Sequence, residues 1–367
     1  MRAEALVDLS AIKFNIAAIK KKTEANILAV VKADAYGHGL VPVAKAALDA
    51  GASMLGVALL EEAVTLRKAG IAAPILAWLL QPGSDFIEAI NLDIDIAAGS
   101  LAALAEIQAA STTKKARVHL EVDTGMTRGG FLGEWSSIDA SHVAGMEIVG
   151  VFSHFARADE PGEAQNSEQL SRFNEVIKVL ESFGFTSIIR HISNSAATLT
   201  FAQSHFDMVR VGIAMYGLSP DVTTLGTSRD LGLRPAMQLR AALYLVKDVP
   251  AGTPVGYGAS EVTSRDTKLG VVVMGYADGI PRIAREAGVW FDGRRAPIIG
   301  RVSMDQFVVD LGPDSKAQSG DWVIIFGGGS HGEYTADDWG AASGSINYEI
   351  VTRIGPRVPR IYGAHVY

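Results

Sequence analysis

The chain has 367 residues, which is long enough for one large barrel domain and a smaller companion, so two domains are expected. Hydrophobic residues make up 48% and charged residues 20%, a balance typical of soluble globular proteins with a substantial core. The formal net charge of −7 argues against a nucleic-acid partner, because such proteins usually present a basic face. The absence of cysteine excludes disulfides, thiolate metal sites and a cysteine nucleophile.

The N-terminal segment does not resemble an export signal. Its sequence, MRAEALVDLS, places acidic residues where a signal peptide would have an uninterrupted apolar stretch. Apolar runs such as APILAWLL are far shorter than the ~20 residues that span a bilayer. We therefore expect a cytoplasmic protein without a membrane partner.

Short runs of apolar and β-branched residues recur along the first two thirds of the chain and predict eight strands. They lie at 27–31, 54–57, 75–78, 94–97, 117–122, 148–152, 188–192 and 208–211. The segments between them have helical spacing, and several end at a glycine suited to a helix C-cap. This alternation favours a closed parallel (β/α)8 barrel of the TIM type, over residues 10–230, rather than an open doubly wound sheet.

After about residue 230 the pattern changes to longer alternating strands, such as QLRAALYLVKDV and APIIGRVSMDQFVVDL. This pattern predicts a mostly β C-terminal domain over residues 231–367. The alternation at 3–9 also predicts a strand, and residues 1–9 are a candidate member of the β domain. Ser10 is a candidate cap for the helix that follows.

Polar residues cluster directly after the predicted barrel strands. Lys32 follows the first strand, DTGMTRGG with Arg128 follows the fifth, and His154 follows the sixth. The segment SNSAA at 193–197 follows the seventh strand, and Arg210 lies at the end of the eighth. Because the C-terminal strand ends of such a barrel share one face and carry its chemistry, we expect a single site there.

Lys32 is the most informative of these residues. A lysine at a strand end is most often a core cation with a partner, but a desolvated amine can also form a Schiff base with a carbonyl cofactor. The loops after the seventh and eighth strands match the place where barrels commonly bind phosphate. Their candidate contacts are Asn194, Ser195, Gly212 and Ile213. A lysine combined with a phosphate site indicates pyridoxal 5'-phosphate.

A set of short motifs, spread over nearly the whole chain, resembles the alanine racemase family. In chain order they are AVVKADAYGHG, DTGMTRGG, FSHFA, SNSAA, VRVGIAMYG, VGYGAS, GYADGIPR, GRVSMDQ and INYEIVTRI. Several are short, but the ordered set is very specific. The resemblance implies a pyridoxal 5'-phosphate barrel with a C-terminal β domain, working as a head-to-tail homodimer in which the partner's β domain completes each active site. The implied reaction interconverts L-alanine and D-alanine and supplies D-alanine for bacterial peptidoglycan.

The resemblance also assigns two catalytic residues. Lys32 is implied to hold the cofactor and to act as the base on one face of the substrate α-carbon. Tyr257, in VGYGAS, is implied to act on the opposite face from the other subunit. Racemisation needs such a pair because a proton leaves one face and returns on the other. A tyrosine base needs positive charge nearby, and GYG alone would indicate only a tyrosine in a turn.

Cofactor and substrate contacts follow from the same resemblance. Arg210 is implied to face the pyridine nitrogen, where a guanidinium donates without transferring its proton, and His154 to support it. The ring is then a weaker electron sink, which limits side reactions relative to racemisation. The phosphate contacts are implied to be Tyr36, Ser195, Gly212, Ile213 and Tyr348, with Asn194 beside them. Arg128 and Met304 are implied to bind the substrate carboxylate, Met304 through its backbone N–H.

One position departs from the family pattern. Family members often carry, at the position of Glu121, a lysine that can be carbamylated to present a carboxylate towards the arginine placed here at 128. Glu121 offers a carboxylate without modification, so we expect a contact between Glu121 and Arg128. The shorter reach of glutamate leaves a water-bridged or outward-facing arrangement open.

Other patterns carry less weight. GGGSHG at 327–332 matches a dinucleotide-binding pattern only formally and is interpreted as a turn, since no βαβ unit follows. The eight histidines are scattered and show no metal-ligand spacing, so no metal is expected. Glu61 and Glu62 are interpreted as part of a solvated helix face.

Several alternatives stay open at this point. A racemase for serine or for a broader set of amino acids would use the same residues, since one extra hydroxyl in a small pocket is discriminated only ~100-fold. A related barrel decarboxylase is disfavoured by Arg210 and by the absence of cysteine. A non-enzymatic pyridoxal-phosphate-binding barrel would share Lys32 but would need neither the β domain nor Tyr257.

Overall fold

The structure is a computed structural model that describes residues 1–112, 114–133, 135, 138–139 and 141–363. These residues form two compact units. The β unit contains Met1–Ala11, Tyr36–Gly39 and the chain from Arg234 onward, and the barrel unit contains Ile12–Ala35 and Leu40–Leu233. Strand β1 (Ala3–Asp8) opens the chain and helix α1 (Leu9–Lys20) follows it.

Within the described residues, the barrel unit contains eight parallel strands, which confirms the predicted (β/α)8 barrel. They are β2 (Asn26–Val30), β3 (Met54–Val57), β4 (Ile75–Ala77), β5 (Ile94–Ala98), β6 (Arg117–Glu121), β7 (Glu147–Phe152), β8 (Ile189–His191) and β9 (Met208–Val211). The strands pair in chain order from β2 to β8, and β9 pairs with β2. Strands β8 and β9 lie at the two ends of this order, and backbone bonds from Asp207 N to Arg190 O (3.2 Å) and from Arg210 N to Ser193 O (2.9 Å) nearly close the circle between them.

The barrel strands are almost continuously apolar because both of their faces are covered. Every residue of β3 and β5 is buried, as expected for a parallel sheet wrapped by helices. The helical segments are α2 (Lys32–Tyr36), α3 (Leu40–Asp49), α4 (Leu60–Lys68), α5 (Phe86–Asn91), α6 (Leu101–Ala110), α7 (Ala164–Ser182) and α8 (Ser195–Thr200). Gly51, Gly70 and Gly184 follow α3, α4 and α7 with positive φ, the conformation that favours glycine at a helix C-terminus.

The start of α1 differs from the prediction. The helix begins at Leu9, so Ser10 lies inside the first turn and cannot be its cap. Asp8 takes that role, because its Oδ1 accepts hydrogen bonds from Ser10 N at 2.7 Å and Ala11 N at 3.2 Å. The expectation for Ser10 was therefore wrong, and the acidic residue before it supplies the acceptor.

The regular elements of the β unit are mostly strands, as predicted. Its remaining elements are β10 (Met237–Val249), β11 (Pro254–Val255), β12 (Glu261–Val262), β13 (Thr267–Val272), β14 (Gly288–Phe291), β15 (Arg294–Pro297), β16 (Phe307–Asp310), β17 (Trp322–Phe326), α9 (Ala336–Ala342), α10 (Asn347–Thr352) and β18 (Arg360–Gly363). The long strand β10 pairs with β1, β13 and β17, and β1 also pairs with β18. Across the residues that the structure describes, no helix is long and apolar enough to cross a membrane.

Candidate active site

The C-terminal ends of the barrel strands bring most of the predicted polar residues together. Ala29 of β2 is in register with Val211 of β9, so Lys32 and Gly212 follow neighbouring strand ends. The same rim of the barrel unit carries Arg128, His154, Asn194, Ser195, Arg210 and Ile213. The barrel unit therefore places on one rim all the residues that the sequence assigned to its strand ends.

Lys32 begins an unusual turn of the backbone. The four residues from Ala33 to Tyr36 have φ between +51° and +54°, which is the left-handed helical region. This conformation costs about 1–2 kcal/mol for each residue that carries a Cβ atom. Asp34 offsets part of the cost, because its Oδ1 accepts a hydrogen bond from Leu40 N at 2.8 Å. Strain of this kind persists where the surrounding structure fixes it, and it concentrates at functional sites.

The environment of Lys32 favours its neutral amine. The side chain is half-buried, and this burial is the largest factor that lowers the pKa of Lys32. The positive charge of Arg128 lowers the pKa further, while the negative charge of Glu62 raises it. A lysine with a lowered pKa can act as a nucleophile towards a carbonyl and as a base.

Arg210 is buried at the end of β9 and is held from several sides. Its Nη1 donates to His191 O at 2.9 Å, and its Nη2 donates to Ser153 O at 2.7 Å. Its Nε–H has no acceptor among the described residues, so this donor is available to a ligand. Burial lowers the pKa of Arg210 to about 10, partly offset by the negative charge of Glu121, so the guanidinium is charged at neutral pH.

A chain of buried side chains extends from Arg210 into the barrel interior. Arg210 Nη1 lies 3.3 Å from His191 Nδ1, and His191 Nε2 lies 2.9 Å from His119 Nδ1. His119 Nε2 in turn lies 3.4 Å from Asp95 Oδ2. On the other side of the guanidinium, Nη2 lies 3.1 Å from His154 Nδ1. Histidines that looked scattered in the sequence therefore converge around Arg210.

These contacts define the charge of the histidines. Arginine can only donate, so the nitrogens of His154 and His191 that face Arg210 must accept and carry no proton. Burial is also the largest cause that lowers the pKa of both His154 and His191 well below the usual value. Both rings are therefore neutral at pH 7. The signal in the sequence was a histidine inside an otherwise apolar barrel strand, as in RVHLE for His119.

Glu121 does not form the expected direct contact. Among the described residues, no hydrogen bond or ion pair joins Glu121 to Arg128. Its carboxylate instead lies beside glycine backbones. A Cβ atom added at Gly129 would lie 3.3 Å from Glu121 Oε1, and one added at Gly99 would lie 3.4 Å from Glu121 Oε2. Burial raises the pKa of Glu121, and the charges of Arg210 and Arg128 oppose that rise. Glu121 therefore acts on Arg128 and Arg210 through charge and not through a direct contact.

The loops after β8 and β9 present donors suited to an anion. Ser195 Oγ accepts hydrogen bonds from Gly212 N at 2.9 Å and from Ala214 N at 3.3 Å. Because the oxygen is the acceptor in both bonds, its own hydroxyl hydrogen can donate to a phosphate. Asn194 caps α8 by accepting from Ala197 N at 3.0 Å. An amine, a cationic donor and a hydroxyl on one rim fit the donor set that pyridoxal 5'-phosphate requires.

Two further predicted phosphate contacts lie together in the β unit. The rings of Tyr36 and Tyr348 have centroids 6.2 Å apart. Burial raises the pKa of Tyr36 to about 12, so its phenol keeps its proton at neutral pH and can donate it in a hydrogen bond.

Tyr257 and Met304 also share one place in the β unit. Both line an open pocket of about 710 Å³ together with Arg301. Their side chains are 70% and 53% exposed, which is unusual for residues of this size and polarity. Gly256 and Gly258, on either side of Tyr257, have φ of +70° and +76° and form the tight turn that presents the phenol at the surface.

The barrel, its strand-end lysine and the buried arginine define a barrel protein built to bind pyridoxal 5'-phosphate. Comparisons with known proteins make this class more specific. The family described as alanine racemase, N-terminal domain, matches residues 7–220, and the alanine racemase C-terminal domain matches residues 236–362. The chain therefore belongs to the alanine racemase family, whose members depend on pyridoxal 5'-phosphate.

Individual alanine racemases match this chain over nearly its full length. An alanine racemase of Salinispora arenicola is 50% identical and covers 98% of each chain, and one of Frankia casuarinae is 48% identical over 99% of this chain and 96% of its own. A crystal structure of alanine racemase from D-cycloserine-producing Streptomyces lavendulae superposes with a TM-score of 0.97 at 47% identity. That alignment covers 100% of this chain and 98% of the other.

Proposed function

We propose that this chain interconverts L-alanine and D-alanine with pyridoxal 5'-phosphate and works as a homodimer. Lys32 of one subunit and Tyr257 of the partner subunit are the two catalytic residues in this proposal. Membership of the alanine racemase family supports the reaction. One observation supports the assignment to Lys32 most directly: burial lowers the pKa of its amine. Lys32 also lies on the same rim of the barrel as Arg210.

The two catalytic residues divide the movement of protons between them. Pyridoxal 5'-phosphate, when bound, supplies an electron-accepting ring that stabilises negative charge at the substrate α-carbon. Burial and the charge of Arg128 lower the pKa of Lys32, so its Nζ is suited to take a proton from one face of that carbon. Tyr257 Oη donates or takes the proton on the other face. Arg301 lines the same pocket as Tyr257.

Arg210 limits how strongly the cofactor ring draws electrons. Its Nε–H is the donor we assign to the ring nitrogen, and the guanidinium stays protonated there at neutral pH because its pKa is about 10. A donor that keeps its proton withdraws less charge than a proton transferred to the ring would. This favours return of a proton to the α-carbon over competing reactions. His154 and Ser153 O hold the guanidinium in place at 3.1 and 2.7 Å.

The remaining predicted residues hold the two anionic groups. The phosphate contacts in the proposal are Tyr36, Asn194, Ser195, Gly212, Ile213 and Tyr348. Ser195 supports this directly, because its oxygen already accepts two N–H groups and its hydrogen stays available to an anion. Arg128, an exposed cation whose charge acts on Lys32 and Arg210, and Met304 N–H are assigned to the substrate carboxylate.

A homodimer explains the exposure of the β-unit residues. Tyr257 is 70% exposed and Met304 53% exposed, although both are assigned to a site that must exclude water. In the proposal the partner subunit covers them, so that each active site takes its barrel from one chain and these two residues from the other. We also propose a cytoplasmic enzyme whose D-alanine enters peptidoglycan.

The reaction is tested by incubating the holoenzyme with L-alanine in heavy water. We expect loss of the α-proton signal together with the appearance of D-alanine, and Lys32→Ala should abolish both. Loss of the α-proton without formation of D-alanine would contradict the role of Tyr257 on the second face of the α-carbon. A protein that binds the cofactor but produces neither change would be a binding protein and would contradict the proposal.

A further inference from the structure

Glu62 makes contacts that a solvated helix face does not explain. It lies in the first turn of α4 and is half-buried, whereas its neighbour Glu61 is exposed. Its Oε2 accepts from Ala58 N at 3.0 Å and from Leu59 N at 3.1 Å, which is a capping interaction at the helix start. Its Oε1 accepts from Ala33 N at 2.6 Å, in a different loop of the barrel. The interpretation of Glu62 from the sequence was therefore wrong.

The bond to Ala33 reaches the residue directly after Lys32. Ala33 is the first member of the left-handed turn, with φ of +53°, and its N–H has no acceptor other than Glu62 among the described residues. The last regular bond before it joins Val31 N to Gly56 O at 2.8 Å. Hydrogen bonds to a carboxylate are about twice as strong as bonds between neutral groups. Glu62 thus fixes the backbone at the point where it leaves the strand and carries Lys32.

Glu62 also acts on Lys32 through charge. The charged side chains that act on the Lys32 pKa are Arg128, which lowers it, and Glu62, which raises it. A single carboxylate therefore holds the turn that carries the amine and moderates the effect of Arg128 on it.

We propose that Glu62 is a positioning residue for Lys32. One of its oxygens fixes the start of the left-handed turn and the other fixes the first turn of α4, so the strand ends of β2 and β3 are tied together beside the amine. The inference rests on the proposed role of Lys32 as the lysine that holds the cofactor. A glutamine offers one acceptor oxygen and one NH2 donor, so Glu62→Gln leaves one of the two sets of N–H groups without an acceptor.

The test measures how fast Lys32 takes up the cofactor. Holoenzyme is stripped of pyridoxal 5'-phosphate, reloaded, and reduced with borohydride at timed intervals, and the adduct on the Lys32 peptide is quantified by mass spectrometry. We expect Glu62→Gln to slow its formation about tenfold or more, because a hydrogen bond to a charged group is lost or redirected. Glu61→Gln removes the same charge from the adjacent exposed position and should match the wild type.

The melting temperature and the cofactor spectrum separate positioning from simple helix capping. If Glu62 only caps α4, Glu62→Gln lowers the melting temperature but leaves the loading rate and the visible circular dichroism of the cofactor as in Glu61→Gln. That result would overturn the inference. If the wild type forms no adduct on Lys32, the proposed function fails instead.

A measurement on the wild type keeps the inference testable should Glu62→Gln not fold. Ala33 is exposed, so its amide should exchange quickly with solvent unless Glu62 holds it. We expect slow exchange of the Ala33 amide compared with the amide of exposed Glu61. Exchange of Ala33 as fast as that of an unprotected amide would overturn the inference.

Discussion

Single side chains around Arg210 determine one another's protonation across the barrel interior. Arg210 stands at one end of this series of buried side chains and has only donors. Asp95 stands at the other end and accepts as a carboxylate. Burial has the largest single effect and raises the pKa of Asp95, but the hydrogen bonds from His119 and Arg117, together with the charge of Arg117, outweigh it. The net pKa is lowered, so the carboxylate form is favoured. Between them, His191 and His119 have no freedom of tautomer, since each Nδ1 must accept and each Nε2–H must donate.

These tautomers are directly measurable. We predict that 15N NMR at neutral pH finds the ring proton of both His119 and His191 on Nε2 rather than on Nδ1. Asp95→Leu removes the final acceptor and should disturb the His119 signal first. A proton on Nδ1 of either ring in the wild type would contradict the arrangement around Arg210.

Stability should depend on pH through His191. Burial is the largest cause that lowers the pKa of His191 well below its usual value, and the charge of Arg210 lowers it further. Below pH ~6.5 the unfolded chain therefore binds a proton at this residue that the folded chain does not. The contribution of neutral His191 to the free energy of unfolding is complete above that pH and falls as the pH decreases below it.

The matched variant is His191→Gln, which cannot titrate. Between about pH 7.5 and about pH 5.5, the wild type should lose about 1.4 kcal/mol more unfolding free energy than the variant. Urea denaturation at both pH values measures this difference. Equal losses in the two proteins would contradict a neutral, buried His191.

Sequence reasoning found the residues that lie at the ends of barrel strands, and missed a contact that forms only when the chain folds. Lys32 and Arg210 could be recognised because each lies at the end of an apolar run. Glu62 could not, because its partner Ala33 is 29 positions away and only the left-handed turn brings their atoms to 2.6 Å. Its signal was limited to a glutamate at the third position of a helix, which predicts a cap and nothing more.

At the scale of secondary-structure elements, the chain of histidines depends on a glycine in strand β7. The pairing of β6 with β7 shifts register between Val118 and His119, and Gly150 then faces the His119 ring. A Cβ atom added at Gly150 would lie 2.1 Å from His119 Nδ1. The two strands therefore fit each other only while position 150 has no side chain.

We predict that Gly150→Ala destabilises the protein by about 1–3 kcal/mol, because the ring or the strand must move. Gly162→Ala is the matched control, since an added Cβ there meets no atom within 4 Å. Chemical denaturation of both variants measures the difference. Unchanged stability in Gly150→Ala would show that His119 does not occupy the position described.

The strands themselves were predictable because parallel barrel strands are buried on both faces and read as apolar runs. The predicted strand at 208–211 and the observed β9, Met208–Val211, have the same bounds. The left-handed turn after Lys32 was not predictable, because Ala and Asp ordinarily favour right-handed helices. Only contacts made after folding, such as Asp34 with Leu40 N, stabilise that conformation.

At the scale of the whole molecule, the residues proposed for catalysis and substrate binding belong to two compact units. The barrel unit carries Lys32 and Arg210, and the β unit carries Tyr257 and Met304 on an exposed pocket. The sequence predicted this division only through family resemblance, because no pattern in GYG indicates that its tyrosine serves another chain. The proposal that two subunits share each site is therefore the central claim.

Mixing two inactive variants tests that claim most directly. Lys32→Ala and Tyr257→Phe are each expected to be inactive as homodimers, and they are unfolded and refolded together. A mixed dimer then has one site with both residues intact, so about one quarter of the wild-type activity should return after statistical mixing. If the refolded mixture stays inactive although mixed dimers are detected by mass, then Lys32 and Tyr257 do not meet across subunits and the account is wrong.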